Sequence, residues 1–239
     1  MDLDGRKFNR EREALQRMQE FQHPFVMRFV SEHRDDQYRF LAMPYVGGLS
    51  DLFALLMKAG PRLPQAHVRF YAGELSLALE HMHAHGLIHR DVKLENVMRG
   101  MDGHLTLIDL GCSKVRGPGV GPDEERSGTV TGTPDFMAPE VLRNQPYSCK
   151  VDYWALGIII YELLTGKSPF AGADADATVR AVLAEQLAYP DILSASAVEC
   201  IKSLVCPAAT RLTHAGLTEL PFFSGLDWKA LEAKQIAAP

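Results

Sequence analysis

The chain has 239 residues, 46% of them apolar and 23% charged, with 25 Lys and Arg against 30 Asp and Glu for a net charge of -5. That mix excludes a disordered chain, and the lack of a positive excess argues against a general nucleic-acid binder or a membrane-surface protein. The length fits one large or two small domains and is ample for a sizeable core.

The four cysteines, Cys112, Cys149, Cys200 and Cys206, form no CxxC pair and no zinc-ligand spacing. They are too few for a disulfide scaffold, so a reducing, cytoplasmic setting is expected. The first ten residues, MDLDGRKFNR, lack the apolar core of a signal peptide. The most apolar run, Trp154 to Leu164, is shorter than the ~20 residues that span a bilayer and reads as a buried helix.

In chain order, residues 9–22 read as a helix with Ala14, Leu15 and Met18 at helical spacing, broken by His23-Pro24. Two strand-like runs follow, Phe25 to Phe29 and Tyr38 to Val46, with SEHRDDQ between them as a hairpin connection. A short helix over Ser50 to Lys58 and a long one over Gln65 to His85 come next, the second stopped by Gly86. Short apolar pieces around polar clusters run from Leu87 to Leu110, and residues 111–131, rich in Gly, Pro and charge, read as a functional loop. Helices over Asp152 to Thr165, Ala175 to Glu185 and Ser196 to Leu204 complete an α+β pattern with a small first lobe and a large helical second one.

The chemistry concentrates in His89 to Asn96 (HRDVKLEN) and in the DLG that begins at Asp109. Phosphoryl transfer from ATP needs a carboxylate to orient the attacking hydroxyl, a cation to follow the moving phosphoryl group, and oxygen ligands for Mg²⁺. Asp91, Lys93, Asn96 and Asp109 supply that set. These motifs, with APE at Ala138 to Glu140, resemble the catalytic loop, Mg²⁺ motif and activation-segment end of eukaryotic protein kinases. GTPDFMAPE, DYWALGIIIYELLTGKSPF and PFFSGLDW resemble the Ser/Thr-specific AGC group, which contains the cyclic-nucleotide-dependent kinases. The resemblance runs from about Asn9 to Pro239.

The resemblance implies a two-lobe kinase-like α+β fold, with residues 1–46 as a truncated small β lobe and 47–239 as the helical large lobe. It implies ATP and Mg²⁺ as cofactors and proteins bearing Ser or Thr as substrates. Asp91 would orient the substrate hydroxyl, Lys93 would stabilise the transferring phosphoryl group, and Asn96 and Asp109 would be Mg²⁺ ligands. Met43, Pro44, Tyr45 and Val46 would hold adenine, with Met98 as its floor. Thr133 would contact the catalytic loop, and Asp152 would hold that loop from below. Glu140 and Arg211 would tie the activation segment to the lower lobe. Glu11 matches the glutamate of the first conserved helix, with Glu13 as the alternative.

Thr129 sits where this group carries its activating phosphothreonine, and Arg90, Lys114 and Lys7 match its basic pocket, so an upstream activating kinase is expected. Asp51, Glu95 and Glu162 match acidic positions that meet arginines upstream of the phosphoacceptor. The plainer reading of Asp51 is a solvated helix residue or a ribose ligand.

Other patterns take plain readings. His81, His83 and His85 imitate a metal tract but have no evident third ligand and read as a helix end. GPGVG at 117–121 is not framed by strands, and GKS at 166–168 lacks the leading glycine of a phosphate loop. Cys112 reads as an inert thiol beside the Mg²⁺ motif, and His89 as a packed residue with Leu15, Phe29 and Leu110. The family's glycine-rich loop and lysine-bearing strand have no counterpart before Glu11, which predicts an exposed strand edge and an exposed apolar face on the first helix. A kinase-like scaffold impaired in catalysis is therefore the alternative to a Ser/Thr kinase.

Overall fold

The computed structural model describes residues 6–116 and 133–239. Helix α1 (Arg6–Glu20) opens the described chain. Its Ala14, Leu15 and Met18 lie on one face and are at most 1% exposed, packed against the turn over Leu110–Cys112. The expectation of a bare apolar face on this helix is therefore overturned: the DLG turn covers it.

Phe25 to Phe29 is not a strand of a ladder. Phe25, Val26 and Met27 are all buried, so they plug the core instead of alternating. One parallel bridge ties them to Leu107, with Met27 N donating to Leu107 O at 2.9 Å and Leu107 N to Phe25 O at 2.8 Å. The polar residues expected to form the connection instead form strand β1 (Ser31–Arg34), antiparallel to β2 (Arg39–Ala42), with Ser31 opposite Ala42. Asp35 makes the actual turn, its Oδ1 accepting from Gln37 N at 2.7 Å and Tyr38 N at 2.6 Å. Tyr38 and Phe40 stay 62% and 48% exposed.

Strand β3 (Gly48–Asp51) delays the second helix, which begins two residues later than expected, as α2 (Leu52–Ala59). Asp51 sets that start by accepting from Ala54 N at 2.7 Å as an N-cap. Helix α3 (Gln65–Ala84) then crosses the molecule and leads into β4 (Leu87–Ile88). Strands β5 (Val97–Gly100) and β6 (Leu105–Leu107) join β3 in the order β3-β5-β6, and β4 pairs with β7 (Lys114–Val115). These short pairings hold the catalytic loop between β4 and β5 and the DLG between β6 and β7.

After α4 (Pro139–Leu142), helix α5 (Lys150–Thr165) forms the hydrophobic axis, with every residue from Val151 to Tyr161 buried. Its apolar residues surround it because α3 and α7 (Ala195–Leu204) both pack on it. It stops at Gly166, whose φ is +78° and where a Cβ would stand 1.8 Å from the Pro61 carbonyl oxygen. The GKS sequence is thus a helix stop. Asp174 and Ser194 cap α6 (Ala175–Ala184) and α7, accepting from Ala177 N at 2.7 Å and Ala197 N at 3.1 Å. The short α8 (His214–Leu217) and α9 (Trp228–Glu232) close the lobe. None of the four cysteines forms a disulfide, and no helix among the described residues is long and apolar enough to cross a membrane.

Candidate active site

The loop between β4 and β5 bends at Arg90, which adopts a left-handed φ of 67°. Asp152, at the start of α5, holds that bend. Its Oδ2 accepts from His89 N at 2.9 Å and from His83 Nε2 at 2.7 Å, and its Oδ1 accepts from Arg90 N at 2.8 Å. Burial opposes charge on His83, but the hydrogen bond to Asp152 prevails and raises its pKa to about 9. The same partner holds the Asp152 carboxyl below its ordinary range despite burial. His89 is fully buried, donating from Nε2 to Ile108 O at 3.0 Å and accepting from Asp91 N at Nδ1 at 3.3 Å. Both ring nitrogens serve the backbone.

Asp91, so placed, is 8% exposed and gathers the other side chains. Lys93 Nζ lies 3.2 Å from its Oδ2 and 2.9 Å from Thr133 Oγ1. Thr133 donates to Asp91 Oδ1 from its backbone N at 3.1 Å and its hydroxyl at 3.2 Å. Asn96, in the 3₁₀ turn Leu94–Asn96, donates from Nδ2 to Asp91 O at 2.8 Å and Oδ2 at 3.2 Å. Its amide oxygen is thereby turned away from Asp91. Asn96 O also accepts from Ile108 N at 2.9 Å, which draws the neighbouring Asp109 to the loop.

Asp109 has φ 57° and accepts from Gly111 N at 3.1 Å through one carboxylate oxygen. An amide oxygen and a carboxylate are hard donors of the type Mg²⁺ takes. Among the described residues no three His, Cys, Asp or Glu side chains form a metal cluster. The donor set therefore fits an ion held by one or two protein ligands and completed by phosphates, not a protein cage.

Met43 to Val46, the segment expected to hold adenine, lie between β2 and β3, with Tyr45 93% exposed. Met98 on β5 is paired with Asp51 on β3 and Thr106 on β6. Asp51 caps α2 directly beside Met98. Glu11 shares the helix face of Ala14, Leu15 and Met18 and is half-buried, whereas Glu13 is exposed.

Glu140 and Arg211 form the buried fork, at 2.6 and 3.2 Å, and Arg211 also donates to Lys150 O and Cys206 O. Arg90 donates to Cys112 O at 2.7 Å and to the Tyr147 hydroxyl at 3.1 Å, a partner the sequence did not suggest. Lys114 lies half-buried in β7, and Lys7 falls within the range of α1. Thr129 lies outside the described residues.

Glu162, near the end of α5, has its pKa raised to about 7 by burial, then by the charges of Glu95 and Asp135. Its Oε2 is buried without a hydrogen-bond partner. The structure thus brings Glu95 and Glu162 into one acidic group and adds Asp135, whose only sequence signal was its place in TPDF.

The family model for the protein kinase domain matches residues 2–223. The chain is 36% identical over 233 residues to the atypical protein kinase C of Drosophila melanogaster, covering 91% of this chain and 38% of that protein. It is 34% identical over 223 residues to the cAMP-dependent protein kinase type 3 of Saccharomyces cerevisiae, covering 91% of this chain and 54% of that one. It is 37% identical over 220 residues to a probable cAMP-dependent protein kinase catalytic subunit of Encephalitozoon cuniculi, covering 90% and 66%. The chain spans about a third of the length of the protein kinase C relatives it matches.

Proposed function

The chain belongs to the protein kinase family, as a Ser/Thr AGC-type domain, and we propose that it transfers the γ-phosphoryl group of ATP to Ser or Thr hydroxyls of proteins. The observation that carries this reading is the Asp91 carboxylate, oriented at once by Thr133, Lys93 and Asn96. A carboxylate so held accepts the hydrogen bond of an incoming hydroxyl and aims its oxygen. Lys93, within reach of the same oxygen, offsets negative charge on the phosphoryl group in transit. Asn96 and Asp109 would hold Mg²⁺, which when bound neutralises the phosphate oxygens. Met43 to Val46 and Met98 receive adenine, and Asp51 lies beside the ribose side of that floor.

Four residues of the right type in bonded geometry favour catalysis over the scaffold reading, which would need none of them. The acidic group of Glu162, Glu95 and Asp135 supports a preference for substrates with basic residues upstream of the acceptor. Arg90 and Lys114 support regulation by a phosphate on Thr129, added by an upstream kinase. A cytoplasmic setting fits four cysteines outside any disulfide.

The test is phosphate transfer to an arginine-containing peptide with Mg²⁺ and ATP, using the full-length protein and its Asp91→Asn variant. Turnover should fall about 100-fold or more in the variant, the scale of general-base loss, with its melting curve unchanged. Equal turnover in both proteins would reject the assignment of Asp91, and inactivity of the wild type would favour the scaffold.

A further inference from the structure

The end of α1 is tied to the end of α3 by contacts the phosphoryl chemistry does not use. His81, on the last turn of α3, donates from Nε2 to Phe21 O at 2.8 Å. Arg17, on the last turn of α1, donates from Nε to His85 O at 3.1 Å. Rings close the joint. Phe21 stacks on His85 with centroids 4.1 Å apart, and His81 lies 4.3 Å from His85 and 4.7 Å from His23. His85 Nδ1 donates to His81 O at 2.8 Å. Arg116, just past β7, reaches the same helix end through His83 O at 2.5 Å and, from its backbone N, Gly86 O at 2.8 Å.

The last carbonyls of a helix lack intrahelical partners and carry the negative end of its dipole, so cations are favoured there. Two arginines from two different elements meet this one helix end. Those elements matter for the site: α1 carries Glu11, the end of α3 leads through β4 to Asp91, and β7 follows the turn that begins at Asp109. His23 and His81 are stacked, His81 and His85 are tilted, and the last two are bonded to carbonyls, so the imidazoles do not converge on a metal.

We infer that this joint sets where α1 stands against the catalytic loop. His81 and Arg17 are positioning residues that act through Phe21 and His85 on the placement of Glu11. The inference rests on the kinase reading for its catalytic consequence but not for its structural one.

The test compares the full-length wild type with His81→Phe, which keeps a ring and loses the donor, and with Arg17→Met and Arg17→Lys. Amide hydrogen exchange is read at Ala14 to Met18 in α1 and at Trp154 to Ile160 in α5, alongside kcat and peptide KM. Exchange in α1 should speed at least about tenfold in His81→Phe and Arg17→Met, with α5 unchanged. The same variants should lose kcat severalfold at constant KM, and Arg17→Lys should restore part of both effects. Unchanged α1 exchange, or equal acceleration in α1 and α5, would overturn the inference. If no protein transfers phosphate, the kinase reading fails while the exchange result still decides whether the joint positions α1.

Discussion

Thr133 grips Asp91 twice, through its backbone N at 3.1 Å and its hydroxyl at 3.2 Å, and that same hydroxyl accepts from Lys93 at 2.9 Å. Thr133 is thus bonded both to the proposed base and to the cation beside it. On the proposed reading the wiring makes the activation segment a condition of catalysis: if Thr133 moves, Asp91 loses two of its orienting bonds.

Thr133→Ala keeps the backbone bond and loses the hydroxyl. Each lost hydrogen bond to a charged group is worth roughly 1.5–3 kcal/mol at most, so kcat should fall roughly tenfold or more. Thr133→Ser should recover most of it. A kinetic comparison of the three proteins at saturating ATP decides the matter, and an alanine variant with full kcat would disprove the coupling.

Arg211 is 2% exposed, and its guanidinium meets Glu140, two backbone carbonyls and the face of Trp154 at 5.1 Å. Glu140→Ala leaves that charge buried with its fork unmatched. Breaking such a pair typically costs about 3–5 kcal/mol. Arg211→Lys cannot replace a planar fork and should also destabilise the fold. Urea unfolding should show both losses, with the larger in Glu140→Ala.

Gly166 and Gly225 separate backbone strain from collision. Both have left-handed φ, 78° and 77°, but a Cβ at 166 would strike Pro61 O at 1.8 Å, whereas at 225 nothing lies within 4 Å. Alanine at 225 should cost only the left-handed penalty of about 1–2 kcal/mol. Alanine at 166 should cost clearly more, because a backbone carbonyl must also move. Melting temperatures of the two variants test this, and equal shifts would show that the Pro61 segment yields freely.

The candidate site was legible because phosphoryl transfer would fix both residue type and spacing, and Asp91, Lys93 and Asn96 fall within one short loop and meet at Asp91. The helices were legible from period and caps, as with α5 and Gly166. The front strands were misread for a physical reason. Phe25 to Met27 look like a strand because they are apolar, yet they are apolar because they fill the core. Ser31 to Arg34 look like a loop because they are polar, yet an exposed edge strand can be polar. The burial of α1 was missed because its covering surface, Leu110 to Cys112, lies some ninety residues away. Asp135 and Tyr147 were missed because a pairing across the fold leaves no local pattern.

Glu162 offers the sharpest test of substrate preference. Burial, then the neighbouring charges of Glu95 and Asp135, raise its pKa to about 7. An acid with a raised pKa is mostly neutral a unit below that value and mostly ionised a unit above it. If Glu162 reads a basic residue, peptide KM should fall as the pH rises from 6 to 8. A bound guanidinium favours the ionised form, so the midpoint in the complex should lie below 7. Glu162→Gln should flatten the profile and raise KM at pH 8 for an arginine-containing peptide, but not for one with neutral upstream residues. Stability should move the other way. The folded state prefers the neutral acid, so ionisation between pH 4.5 and about 7 costs stability. Glu162→Gln removes that cost, and with partial solvent screening the gain at pH 8 should be about 1–2 kcal/mol. A variant that is more stable but reads arginine less well marks a carboxylate kept for binding. A variant with unchanged KM at both pH values would show that Glu162 does not meet the substrate.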